Sequence, residues 1–201
     1  MRICLLLTLI AVTACSGADA PASRSPTDPA ATRRANIPVP VRTGDVHDFD
    51  FQVGSWTVHN RTLKVGDDGR ETWVEFPSTV CMRQSLGGVV NIEETRFPTK
   101  GYSAIALRTF DLKKRQWSIY WIESRAGVVL DPVVGGFEGD RGEFYAPDDT
   151  GAEPVLYRFV WTRLGTDRAR WEQASTSDGV AWKPNWVMEF RRTDDPSCAR
   201  P

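Results

Sequence analysis

Residues Trp117-Ser118-Ile119-Tyr120-Trp121 alternate in character: Trp117, Ile119 and Trp121 share one face, while Ser118, Tyr120 and, further on, Ser124 share the other. Side chains repeat every second residue only on an extended strand, so one apolar and one polar face means a strand with one side turned to a core. The pattern recurs downstream. Tyr157, Phe159 and Trp161 lie opposite Arg158 and Thr162, and Trp182, Trp186, Met188 and Phe190 lie opposite Lys183, Asn185 and Glu189.

Working outward, strands are expected at Trp56–Val65, Thr72–Leu86, Val89–Phe97, Tyr102–Phe110, Gln116–Glu123, Val128–Phe137, Gly142–Ala146, Val155–Thr162, Arg170–Thr176 and Trp182–Arg191. The second should break at Pro77, because proline cannot donate a ladder hydrogen bond. Turn signals separate them, including Gly66-Asp67-Asp68-Gly69, Gly87-Gly88, Asp140-Arg141-Gly142 and Ser177-Asp178-Gly179. No window shows a helical stripe. An open sheet of this many strands would leave two bare edges, so the expected fold is all-β: an antiparallel up-and-down barrel of about ten strands.

All 21 aromatics (8 Trp, 9 Phe, 4 Tyr) fall between Phe49 and Phe190, which places the folded domain at 47–193. Before it, Met1-Arg2 and the apolar run Ile3–Val12 read as an export signal, too short to span a bilayer, which needs about 20 residues. Ser16 to Val46 is rich in Ala, Pro, Ser, Thr and Arg and has no periodicity. The expected organisation is a signal at 1–14, a disordered tether at 15–46, the barrel, and a tail at 194–201.

Net charge is −1, from 25 Lys+Arg and 26 Asp+Glu, which argues against a nucleic-acid partner. With 2 His and 4 Cys, no metal site is expected; His47 and His59 lack neighbours at ligand spacing. There is no Gly-x-Ser-x-Gly and no phosphate loop, and no cofactor is expected.

Two resemblances add to this. Val12-Thr13-Ala14-Cys15 resembles the lipobox of bacterial lipoproteins. The resemblance implies that Cys15 is acylated and becomes the mature N-terminus, with Ser16 directing the protein to the periplasmic face of the outer membrane. Cleavage after Ala18-Asp19-Ala20, giving a soluble periplasmic protein, is the rival. Phe49-Asp50-Phe51-Gln52-Val53-Gly54-Ser55-Trp56, with Gly-x-Trp opening the first strand, resembles lipocalins and the wider calycin group. There the Trp plugs the barrel floor and the Gly lets the chain pass close by. The stretches at 87–94, 106–108, 117–121, 170–173 and 185–190 are similar to a bacterial family of lipocalin-like domains of unassigned function. The Arg-x-Tyr pair of fatty-acid-binding proteins and the haem-binding His pattern of nitrobindin-like barrels are absent, so neither ligand is implied.

Candidate site residues follow from the strand faces. Trp56, Trp121, Tyr157, Trp161, Trp186 and Met188 would line or fill the lumen. Glu123 continues the Trp117–Trp121 face and Arg163 the Tyr157–Trp161 face; they either hold a polar headgroup or stand in solvent at the rim, since charges are seldom fully buried. Arg108 lies on the Ala104–Ala106–Phe110 face, either binding an anion in the lumen or salt-bridged outside. Cys81 and Cys198 are either bridged, which an oxidising compartment permits, or free.

The expected function is a lipid-anchored envelope protein binding a small apolar or amphipathic molecule inside the barrel. The alternatives are a calycin-type hydratase, cyclase or isomerase, with Glu123 as its acid or base, and a structural or interaction domain.

Overall fold

A computed structural model describes residues 37–148, 150, 153–195 and 198. The export signal, Cys15 and the tether up to residue 36 lie outside the described residues, as does most of the C-terminal tail. Ten antiparallel strands follow one another: β1 (Gly54–Val65), β2 (Glu71–Ser85), β3 (Val90–Phe97), β4 (Tyr102–Asp111), β5 (Gln116–Glu123), β6 (Val133–Glu138), β7 (Arg141–Asp148), β8 (Val155–Arg163), β9 (Arg168–Thr176) and β10 (Lys183–Thr193). Each pairs with the next, and β10 returns to β1 from Ser55↔Thr193 to Thr62↔Trp186, closing the barrel. Closure gives every strand a partner on each side, which is how a meander of this length avoids aggregation.

Three local departures have physical causes. Pro77 does not break β2; it stays in register opposite His59. The β2–β3 ladder begins only at Thr79↔Arg96, so beside Pro77 the strand has no ladder on that edge for proline to disrupt. The stretch expected as a strand from Val128 starts at Val133, and 124–132 forms a loop instead. There β5 and β6 pair only from Trp117↔Gly135 to Ile119↔Val133, with one further bridge at Ile122↔Val129. The register of β10 shifts between Pro184 and Trp186, which reverses the alternation. Trp182 therefore does not share a face with Trp186 but packs against Tyr145 and under the Arg158 guanidinium, 4.1 Å from its ring centre.

The two barrel ends differ. At the end where β1 starts, a 3-10 turn at Asp50–Gln52 carries Phe49 inward, fully buried. Gly54 follows at φ +112, a conformation that favours glycine, and a Cβ there would lie 3.1 Å from the Arg192 guanidinium. That guanidinium lies 4.2 Å from the ring centre of Trp56 and donates to the carbonyls of Phe51, Val53 and Thr166. Trp56 Nε1 donates to the Gln52 carbonyl at 2.8 Å. Trp56 thus sits at this end of the barrel, 1% exposed.

Residues 37–46 are not a free spacer. Arg42 pairs with Glu143 at 3.0 Å, Gly44 N–H donates to the Arg115 carbonyl at 2.8 Å, and Trp117 Nε1 donates to the Asp45 carbonyl at 3.0 Å. Gly136 makes room for this strap, since a Cβ there would meet the Thr43 carbonyl oxygen at 2.5 Å. Burial pushes the Glu143 carboxyl up, but hydrogen bonds from Tyr145, Arg141 and Arg42 outweigh it and hold the group below the usual carboxylate range. The strap is held largely through backbone carbonyls and N–H groups, which hydrophobic periodicity does not register. Cys81 and Cys198, 117 positions apart in sequence, form a disulfide with Cα atoms 5.2 Å apart.

Candidate functional site

The interior is mostly filled by side chains, and the space left is a cavity of about 140 Å³ in the upper half. Its floor is an ion pair. Arg108 on β4 and Glu93 on β3 are both almost completely buried, and Arg108 Nη2 donates to Glu93 Oε2. The β3–β4 hairpin places them there: Phe97 stands opposite Tyr102, which sets Glu93 opposite Ala106 and Arg108 one diagonal step away on the same face.

Further hydrogen bonds hold the carboxylate. Gln52 Nε2 donates to Glu93 Oε2 at 2.6 Å, and Thr95 Oγ1 to Oε1 at 3.3 Å. The guanidinium lies over Phe49, 4.4 Å from its ring centre, and 5.5 Å from that of Trp161. Among the described residues, Nε and Nη1 of Arg108 have no hydrogen-bond partner, nor do Oε1 of Gln52 and both amide atoms of Asn91. Buried donors in that condition cost about 1–3 kcal/mol each until something accepts from them.

Above the floor stand Trp121, Trp161, Trp171, Trp186 and Phe159, with Met188 beside them. Trp186 is oriented by a polar pair: its Nε1 donates to Asn60 Oδ1 at 3.1 Å, while Asn60 Nδ2 donates to Ser78 Oγ at 2.8 Å. The mouth lies under the β5–β6 loop, where Leu130, 54% exposed, reaches over the cavity and its N–H donates to the Trp121 carbonyl at 3.2 Å.

Arg108, Trp121, Trp161, Trp186 and Met188 therefore meet around one space. Trp56, Glu123, Tyr157 and Arg163 do not line it. Because β5 and β8 run in opposite directions, Glu123 and Arg163 end at opposite mouths of the barrel. Glu123 sits at the upper rim, 2.6 Å from Arg125 and 3.4 Å from Trp121 Nε1. Burial raises the neighbouring Tyr102 hydroxyl above its ordinary value, and the Glu123 charge adds to the rise. Arg163 sits at the floor, donating to the Asp48 carbonyl at 2.7 Å and lying over Phe137 and Phe51. Trp56 is below the cavity, and Tyr157 is half-buried on β8 toward the upper end. Of the residues not singled out from sequence, Glu93 and Trp171 matter most.

His47 and His59 are exposed and pair with Asp50 and Glu75 at 3.0 and 3.2 Å. Among the described residues, no three His, Cys, Asp or Glu side chains stand together as metal ligands would.

The closed ten-stranded barrel fits a calycin-like fold. Among similar solved structures is a protein of unknown function from the DUF3598 family of Nostoc punctiforme PCC 73102, 12% identical, with a TM-score of 0.43, covering 76% of this chain and 50% of that one. This chain spans half the length of that structure. No family model matches the sequence, and no curated protein is similar to it.

Proposed function

We propose that the barrel binds one small amphipathic molecule in the cavity above the Arg108–Glu93 pair. The observation that carries this reading is a cavity lined mainly by Trp121, Trp161, Trp171, Trp186, Phe159 and Met188, with the Arg108–Glu93 pair and Gln173 as its polar groups. The body of a ligand would lie among the indoles, and its polar end would face those groups. Pockets that bind small molecules combine an apolar lining with a few convergent polar groups in this way. The volume limits the ligand to about the size of one benzene ring, which occupies an engineered cavity of roughly 150 Å³.

We propose further that the protein acts at the periplasmic face of the outer membrane, held by acyl chains on Cys15. The lipobox-like sequence supports this, and so does the Cys81–Cys198 bridge, because disulfides persist in oxidising compartments. Native mass spectrometry of the protein purified from its host, followed by tryptophan-fluorescence titration, tests the binding reading. A bound mass of one small molecule is expected; an unliganded mass with no titratable compound refutes it. Labelled palmitate should enter the wild-type chain and not Cys15→Ser, and equal labelling would refute the anchor.

A further inference from the structure

A second concave surface lies outside the barrel, on the wall formed by β9, β10, β1, β2 and β3. The strand registers carry one row of outward side chains across it. Arg168 stands opposite Arg191, Arg191 opposite Thr57, Thr57 opposite Thr79, and Thr79 opposite Arg96. All of these are exposed, while their strand neighbours Val58, Val80, Ala169 and Phe190 belong to the core. Long side chains flank two short ones, so the surface sinks over β1 and β2. On the arginine-pair side the depression is a groove of about 710 Å³, lined by Arg168, Arg191, Thr57 and Thr79 and bounded by Leu164 and Pro98. A second depression of about 480 Å³ shares Thr57 and Thr79 and reaches Arg96, which Glu94 already engages at 2.9 Å.

The charges in the larger groove do not balance. Like charges directly opposite each other on one face destabilise a sheet. The acids that line the groove are committed elsewhere: Glu189 accepts from Arg170 at 2.8 Å, and Glu75 pairs with His59 at 3.2 Å. Arg61 lies by the ring of Trp73, 5.6 Å from its centre. Among the described residues, the Arg168 and Arg191 side chains have no hydrogen-bond or ion-pair partner. A cleft with uncompensated charge of one sign concentrates counter-ions. Two guanidinium forks on adjacent strands require acceptors for both. A carboxylate has two oxygens and matches one fork, whereas a terminal phosphate has three and accepts from two.

We infer that this outer groove is an anion site that takes a phosphate group, held between Arg168 and Arg191 and seated over Thr57. The phosphate belongs either to a free phosphate compound or to a lipid headgroup, and the recognition chemistry is the same for both. The site is on the outer wall, apart from the cavity, and does not depend on whether the cavity binds a ligand.

Calorimetric titration of the full chain at fixed ionic strength tests it with three probes: inorganic phosphate, dihexanoyl phosphatidic acid and acetate. Both phosphates should bind, and acetate at least tenfold more weakly. Similar affinity for the two phosphates supports the site as one for free phosphate; a lipid at least tenfold tighter supports it as one for a headgroup. Arg168→Gln/Arg191→Gln should weaken both phosphates at least tenfold, and Arg191→Lys, which keeps the charge and loses the fork, several-fold. Phosphate should raise the Tm of the wild type more than that of the double variant, since a ligand stabilises the state it binds. Acetate binding as tightly as phosphate overturns the inference. So does the absence of phosphate binding, or a double variant that binds phosphate as the wild type does.

Discussion

The two ends of the barrel are lined by the same kind of residue and filled in opposite ways. At the floor, Phe49 arrives from outside the strands and meets Trp117, Phe137, Phe144 and Trp161 at ring distances of 5.1 to 6.1 Å. In the upper half, Trp121, Trp171 and Trp186 stand around a space that no segment among the described residues fills. The difference teaches that aromatic density alone does not make a pocket. What decides is whether the chain supplies its own plug, and the described residues do so at the end that holds Phe49. The Arg108–Glu93 pair lies at the boundary, its guanidinium resting on the plug and both residues lining the cavity.

The largest test strikes that boundary. Glu93→Ala should destabilise by about 4 kcal/mol in urea unfolding, because it leaves Arg108 buried without its countercharge. The double variant Glu93→Leu/Arg108→Met should recover most of that loss while abolishing binding. A single variant as stable as wild type would show that the boundary is solvated. Next, Phe49→Ala at the floor should cost about 3 kcal/mol, as truncations of fully buried rings do. Trp121→Leu at the half-exposed upper end should cost roughly 1 kcal/mol yet weaken ligand at least tenfold. Equal costs would erase the distinction between plug and pocket.

Cys198→Ser should lower stability by about 2 kcal/mol, by freeing a long loop in the unfolded chain; an unchanged urea midpoint would refute this. Ala106→Leu, which adds volume to a cavity wall, should stay within about 1 kcal/mol of wild type and block binding. Gly135→Ala, whose Cβ would lie 1.9 Å from the Glu143 carbonyl oxygen, should cost clearly more. The smallest effect belongs to Asp178 in the β9–β10 turn. Backbone N–H groups of Val180 and Ala181 and the Thr176 hydroxyl hold its carboxyl down to about 2. Its contribution is fully present above the ordinary value of 3.8 and is lost as pH falls through about 2. The amide signals of Val180 and Ala181 should therefore titrate in that range.

Most of the fold could be read from the strands because alternation is a local signal, and turn residues punctuate it. The start of the strand expected at Val128–Phe137 is not legible, because an apolar run says nothing of whether a neighbour is within reach. The face of Trp182 is not legible either, because a bulge changes phase without changing composition. The aromatic wall was legible for the same reason the strands were. Glu93 was not. On β3 either phase buries a carboxylate, Glu93 or Glu94, and Ile92, which argues for the wrong phase, is 38% exposed. The signal that settles it is non-local: Phe97 opposite Tyr102 fixes the hairpin, and the hairpin then sets Glu93 beside Arg108. Glu123 and Arg163 stand at the barrel's ends, one of the two readings their strand faces allow, and shared face parity carries no information about which end each strand reaches.

Among the described residues, the sulfur bridge lies across the one joint where strands pair out of sequence. Cys81 is on β2, one strand beyond β1, while Cys198 follows β10, so the covalent link straddles the β1–β10 closure. Tension applied at the C-terminus passes through the two sulfurs into β2 and bypasses the last strand. Tension applied on the N-terminal side meets the hydrogen bonds and ion pairs of the 37–46 strap, which are not covalent. The molecule is thus mechanically asymmetric, softer at the strap and locked at the disulfide.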